Sequence, residues 1–190
     1  MTAMENLLGK TIFDGKSKTG KKFFIRYLKD GDAEIMRNYI NTISKERTFI
    51  SYQGEQLSLK EEEGFVNPQI ERIKEGKCVV LLVFSKNKLG GVANLDLGNR
   101  ISKHIANLGI SLAKDFRDQG IGSKLLETLL NEGKKNLKGM EIVKLTVFSN
   151  NARAISLYKK FGFEEYGRLP NGLKLENGYV DQIEMYKRII

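Results

Sequence analysis

Apolar positions along this chain fall into two rhythms. "DAEIMRNYINTISKE" brings Ile35, Tyr39, Ile40 and Ile43 to one face at helical spacing, which predicts a helix. "SLKE", from Ser58 to Glu61, reads as a capping box opening the next helix. Asn67-Pro68 inside that helix predicts a break, or a fresh start with Pro68 in the first turn. "CVVLLVF" and "GVANLDL" flank "SKNKLGG" and read as a hairpin, and "KTIFDGKSKTGKKFFIRYLK" as two short strands around a glycine-containing turn. "HIANLGISLA" is a further strand, followed by "FRDQGIGSKLLETLL" and a helix to about Lys135. "EIVKLTVF" is a strand, "NARAISLYKKF" a short helix and "GFEEYGRL" a strand. "GYVDQIEMYKRI" is the last, with Val180, Ile183 and Met185 among its apolar positions. Strands interleaved with helices predict an α/β domain with a mixed sheet around one core. No repeat, low-complexity tract or linker interrupts the chain, so residues 1–190 are expected to form a single domain.

Composition narrows the chemistry. With 190 residues and 41% hydrophobic content, the chain can bury a sizeable core. Its one cysteine, Cys78, lies in an apolar run and is expected to be a buried strand thiol. One Cys and one His argue against a structural zinc site, and no metal is expected. No apolar run approaches a membrane span. The opening "MTAMENLLGK" lacks the regions of a signal peptide, so a reducing cytoplasmic location is expected.

Charge adds a hint about partners. Lys plus Arg number 32 against 23 acidic residues, a net charge of +9. Such an excess favours nucleic acid, an acidic membrane surface or a phosphate-rich cofactor, and equally describes a solvated lysine-rich surface. The basic residues are scattered rather than gathered into an arm, and no aromatic ribonucleoprotein motif accompanies them.

The phosphate option has a candidate seat. In "FRDQGIGS" a helix opens behind two glycines, Gly120 and Gly122. A helix start leaves backbone N–H groups unpaired at the positive end of the dipole, which suits a phosphate. The glycines let an anion approach, while Arg117 adds a cation and Ser123 a hydroxyl. A P-loop would need lysine before the Ser, and a dinucleotide fingerprint would need glycine where Leu125 stands. Neither pattern fits.

A second constellation follows in "NARAISLYKKFGF". Asn151, Ala154, Ile155 and Tyr158 form one helical stripe, with Leu157 and Phe161 expected to face the core. Taken alone, Tyr158 reads as an ordinary half-buried aromatic. Together the two motifs resemble the GNAT superfamily of acetyl-CoA-dependent N-acetyltransferases. The family's pyrophosphate pattern, Gln/Arg-x-x-Gly-x-Gly/Ala, is met by Arg117, Gly120 and Gly122. Its second signature is met by Asn151, Ala154, Leu157, Tyr158, Lys160, Gly162 and Phe163. The resemblance runs from about Val79 to the C-terminus, and more loosely over the first two helices.

It implies a mixed, mostly antiparallel sheet of about seven strands with four or so helices. It further implies acetyl-CoA as co-substrate and direct attack by a substrate amine. The pyrophosphate would rest on Arg117, Asp118, Gln119, Gly120, Ile121, Gly122 and Ser123. The pantetheine arm would add alongside Ile110, Ser111 and Leu112, where a backbone N–H polarises the acetyl carbonyl. Asn151, with Ala154 and Lys160 on the same helix, would help hold the cofactor, and Tyr158 would protonate the departing thiolate. Asp118 departs from the family pattern by placing a carboxylate beside the pyrophosphate.

The acceptor side is less marked. Glu55, in the loop between the first two helices, and Asn94 and Asp96, on one strand face, are the candidate substrate-binding residues. The base that deprotonates the amine is a carboxylate, His104 or a water chain. His104 starts its strand about 26 Å from Leu112, at roughly 3.3 Å per residue, which suits a structural or rim role. The resemblance favours small amines or amino-acid-like acceptors. Ribosomal-protein or peptide N-terminal acetylation, a non-catalytic acyl-CoA-binding module and a basic nucleic-acid-binding protein stand as alternatives. A homodimer is left open.

Overall fold

The computed structural model describes residues 5–189. Its elements, in chain order, are β1 (Thr11–Lys16), β2 (Lys22–Tyr27), α1 (Ala33–Ser44), α2 (Leu59–Lys74), β3 (Cys78–Ser85), β4 (Lys88–Leu97), β5 (Ile105–Leu112), α3 (Ile121–Asn136), β6 (Ile142–Phe148), α4 (Ala152–Lys160), β7 (Glu164–Leu175) and β8 (Gly178–Arg188). The strands form one mostly antiparallel sheet of eight, in the order β1-β2-β3-β4-β5-β6-β8-β7. Eight is the number the hydrophobic pattern predicts, and one more than the family resemblance implies.

Two compact units divide the chain. One takes the residues up to Asp96 together with Gly109–Lys138, and the other takes Leu97–Leu108 and everything from Gly139.

In the first unit β3 lies between β2 and β4, and its residues from Cys78 to Phe84 are all buried. That explains a run without alternation: both faces of the strand are covered. Helix α3 presents Ile121, Leu125, Leu126 and Leu129, all wholly buried, with Leu130 nearly so. Each such side chain contributes about 1.5–3 kcal/mol by leaving water. On α1 the buried row is Ala33, Met36, Tyr39 and Ile43, so Ile35 and Ile40 of the predicted face are only half-buried.

Two elements differ from expectation. Helix α2 opens on the predicted Ser58–Glu61 capping box but runs unbroken past Pro68. Proline removes one helical hydrogen bond and crowds the carbonyl four residues back, that of Gly64. Both residues are exposed, so water can satisfy that carbonyl. The β3–β4 turn is also tighter than predicted, because β4 already begins at Lys88 and takes in Gly90 and Gly91. Gly90 has to be glycine, since a Cβ there would fall 2.1 Å from the Phe116 ring. Phe116, 1% exposed, thereby anchors the turn that follows β5.

In the second unit β5 and β6 run parallel from Ile105↔Ile142 to Asn107↔Lys144, where the register ends. β8 lies antiparallel to β6, and β7 forms a long bulged hairpin with β8. Ile183 and Met185 are buried and Val180 half-buried. On α4 the buried residue is Tyr158; Leu157 and Phe161, expected in the core, are only half-buried. The helix is short, and Phe163 just beyond it is the aromatic that fills the space.

Candidate active site

The first unit carries the glycine-turn motif. After β5 the chain passes through a short 3-10 turn, Lys114–Phe116, and reaches the N-cap of α3 at Gly120. Gly120 has φ +79 and supplies no side-chain cap. The first amides of α3, those of Ile121, Gly122 and Ser123, therefore open the helix without a capping side chain. The Ser123 hydroxyl makes no hydrogen bond among the described residues. Asp118, at φ +61, is exposed.

Arg117 is not the free cation that the sequence suggests. Its Nη2 lies 2.5 Å from Glu46 Oε2, and its Nε donates to the Leu112 carbonyl at 2.8 Å. Glu46 Oε1 also accepts from the Lys114 amide at 3.3 Å. Arg117 thus braces the turn against the residue just past α1. Gln119 is likewise scaffold: its amide nitrogen donates to the Asp115 carbonyl at 2.7 Å, and its Oε1 accepts from Thr19 Oγ1 at 3.0 Å.

The β1–β2 turn completes this arrangement. The Lys18 amide donates to the Gln119 carbonyl at 2.9 Å. Lys21 Nζ donates to the Asp115 carbonyl at 3.0 Å and stands 3.6 Å over the Phe116 ring. On β5, Ile110, Ser111 and Leu112 are half-buried, and Ser111 Oγ lies 2.9 Å from the Tyr39 hydroxyl. Burial holds the Tyr39 phenol well above its usual pKa. The parts of Glu46, Tyr39 and the β1–β2 turn were not legible in the sequence, because each partner is about 70 to 100 residues away. No local motif announces such a contact.

The acceptor-side candidates are engaged. Asp96 Oδ1 pairs with Arg72 Nε at 3.2 Å, and its Oδ2 accepts from Asn94 Nδ2 at 2.6 Å. The expected shared face of Asn94 and Asp96 is therefore real, but neither carboxylate oxygen is free. Glu55 accepts the Gln53 amide inside its own loop, and backbone N–H groups hold its carboxyl below the usual range. Cys78 is buried, donates to the Gln69 carbonyl at 3.4 Å, and has its thiol pushed up by burial, which leaves no thiolate for attack. No cluster of three or more His, Cys, Asp or Glu capable of holding a metal occurs among the described residues.

The second unit carries the Asn151–Tyr158 motif. Asn151 caps α4, its Oδ1 accepting from the Ala154 amide at 3.1 Å. The Asn151 amide nitrogen makes no hydrogen bond among the described residues. Two turns on, Tyr158 is 6% exposed and packs at 5.8 Å against Phe163. Burial pushes its phenol up to about 12. Among the described residues the one fully buried side-chain polar atom without a partner is Gln69 Oε1. The Tyr158 hydroxyl makes no hydrogen bond there either, so it still reaches open space. The result is a phenol that stays protonated at neutral pH with its hydrogen uncommitted. Lys160 is exposed at the end of the helix. His104 acts through its backbone, its carbonyl accepting from the Glu141 and Ile142 amides at 2.8 and 3.1 Å to set the start of β6.

Residues 40–163 match the model of the Acetyltransferase (GNAT) family, which takes in both motifs. The chain is 39% identical over 85 residues to the L-amino acid N-acetyltransferase AaaT of Escherichia coli strain K12, covering 43% of this chain and 50% of that protein. It thus matches half the length of that relative. It superposes on an acetyltransferase of the GNAT family from Streptococcus pneumoniae with a TM-score of 0.79 and 30% identity, covering 88% of this chain and 99% of the other. The yncA protein of Salmonella typhimurium, solved with its cofactor acetyl-CoA, shares the fold at a TM-score of 0.75 and 16% identity, over 88% and 94% of the two chains.

Proposed function

The chain belongs to the GNAT acetyltransferase family, and from that premise we propose that it transfers the acetyl group of acetyl-CoA to a primary amine by direct attack. The observation that carries this reading is the family match over 40–163, which runs through the glycine turn and the α4 signature alike. Because that match is continuous through both units, we read residues 1–190 as one acetyltransferase domain.

The residues present fit acetyl-CoA. The uncapped start of α3 offers the Ile121, Gly122 and Ser123 amides to the pyrophosphate. Ile110, Ser111 and Leu112 offer strand backbone to the pantetheine, past the end of the β6 register. The free Asn151 amide nitrogen can donate to a pantetheine carbonyl. Acetyl-CoA supplies an activated thioester acetyl group. Tyr158, kept protonated by burial, donates its proton to sulfur as the C–S bond breaks and the C–N bond forms. With Asp96 paired and Glu55 turned onto its own loop, a water chain is the route we carry for the amine proton.

A small amine or amino acid is the favoured acceptor, supported by the similarity to AaaT over its matched half. A lone buried thiol suits a reducing cytoplasmic setting. Calorimetric titration of acetyl-CoA, followed by thiol release across neutral amino acids, polyamines and a peptide with N-terminal alanine, tests the proposal. A folded protein that binds no acetyl-CoA overturns it.

A further inference from the structure

The pairing of Arg117 with Glu46 leaves the glycine mouth of α3 without the cation its motif suggests, and the β1–β2 turn supplies another. Lys18 lays its stem across Gly120: Cγ, Cε and Cδ lie 3.2, 3.3 and 3.4 Å from where a Cβ on residue 120 would stand. The ammonium is one bond beyond Cε, beside the uncapped helix start. Three other lysines near the turn are already engaged. Lys21 holds the Asp115 carbonyl and the Phe116 ring, Lys88 pairs with Asp115 at 2.6 Å, and Lys124 with Glu127 at 2.7 Å. Lys18 is exposed and makes no ion pair among the described residues.

Its backbone, in contrast, is fixed. The Lys18 amide bonds the Gln119 carbonyl, and Ser17 and Thr19 on either side both reach Gln119 Oε1, at 3.5 and 3.0 Å. A pinned backbone with a free ammonium is a pre-placed cation, which loses less entropy on meeting an anion than a lysine on a loose loop.

Resting on the acetyltransferase reading above, we propose that Lys18 is a phosphate ligand of acetyl-CoA and takes the place at the glycine turn that Arg117 leaves open. The group it meets belongs either to the pyrophosphate or to the ribose 3′-phosphate, and the chemistry of recognition is the same. Gly120 then has a second reason to be glycine besides its left-handed φ, since a side chain there would push the Lys18 stem aside.

The test compares wild type, Lys18→Met and Lys18→Arg by calorimetry with CoA, dephospho-CoA and pantetheine. Met keeps the stem and removes the charge at an exposed site, and thermal melting checks that the fold is retained. Lys18→Met should bind CoA about five- to tenfold more weakly, the scale of one charge-assisted contact, with Lys18→Arg close to wild type. The gap should narrow as salt rises. Pantetheine, which has no phosphate, should bind both proteins alike. A loss kept with dephospho-CoA assigns Lys18 to the pyrophosphate; a loss that vanishes assigns it to the 3′-phosphate. Wild-type affinity for CoA in Lys18→Met overturns the proposal, as does an equal loss for pantetheine. Failure of wild type itself to bind CoA removes the underlying acetyltransferase reading instead.

Discussion

Arg117 and Glu46 are joined by a 2.5 Å contact that spans 71 positions of sequence, and it changes what the arginine of the glycine turn does. The side chains are 26% and 18% exposed, so the pair is largely out of water and held by further bonds to Leu112 and Lys114. The arginine sets the shape of the turn, while α3 itself opens without a side-chain cap.

Breaking that brace should cost stability before it costs chemistry. Arg117→Ala and Glu46→Ala are each expected to lower unfolding free energy by about 1–2 kcal/mol, because each strands a partly buried partner. The double variant should lose less than the sum, the mark of residues that interact directly. Arg117→Lys should not rescue, since an ammonium lacks the planar fork that reaches Leu112 and Glu46 together. Denaturant midpoints of the four variants check this, and strict additivity would show that the contact carries no energy.

Much of the fold could be read directly. The β1–β2 strand pair, the unbroken apolar run of β3, the leucine stripe of α3 and the Ser58 capping box each follow from a local rule. The glycine start of α3 and the Asn151 cap of α4 follow in the same way, because turns and caps are short-range devices. The pairings that decide which side chains are free were not legible. Arg117 with Glu46, Asp96 with Arg72, and Gln119 with Thr19 are formed by tertiary approach, and a charged residue looks the same in sequence whether paired or free. Pro68 departs from its expected break for a related reason: helix α2 turns that position to solvent, where the orphaned Gly64 carbonyl is tolerated.

Gly120 tests the turn in the absence of ligand. Its φ of +79 strains any residue with a Cβ, and the Lys18 stem closes the space such a Cβ would enter. The stem is flexible, so the backbone conformation dominates the cost. Gly120→Ala should destabilise the protein by about 1–2 kcal/mol and should also weaken acetyl-CoA binding. An alanine variant with wild-type melting temperature would show that the turn relaxes freely.

Tyr158 can be separated from its packing role by removing only the hydroxyl. Tyr158→Phe should keep the Phe163 contact and acetyl-CoA affinity, yet lower kcat by roughly 10²–10⁴, towards the lower end because thiolate leaves readily. KM should change little. Since the phenol is pushed up to about 12, the wild-type rate should show no alkaline decline from this group between pH 7 and pH 10, at about two units or more below its pKa. Near-full turnover by the Phe variant at every pH would mean that water protonates the sulfur.

Alkaline pH should also weaken the fold itself. Burial raises the phenols of Tyr27, Tyr39 and Tyr158, and Glu132 adds to the effect at Tyr27. In the unfolded chain these groups ionise near pH ~10. The folded state then holds more protons above that pH, so stability is fully present below it and is lost as pH rises towards the folded values. Denaturant midpoints should be flat in this respect up to about pH 9.5 and fall beyond it. Phe substitution at Tyr39 should flatten the fall, and an unchanged slope would remove Tyr39 as a contributor.

Acetyl transfer from a cofactor seated on the glycine turn should be read as thiol release from acetyl-CoA, measured for wild type and Gly122→Val with and without a panel of amines. Amine-dependent release is expected from wild type. Gly122→Val should stay folded and bind acetyl-CoA at least tenfold more weakly, about 1.4 kcal/mol, with release falling accordingly. Equal release by the two folded proteins, or none from wild type with any amine, would contradict the account.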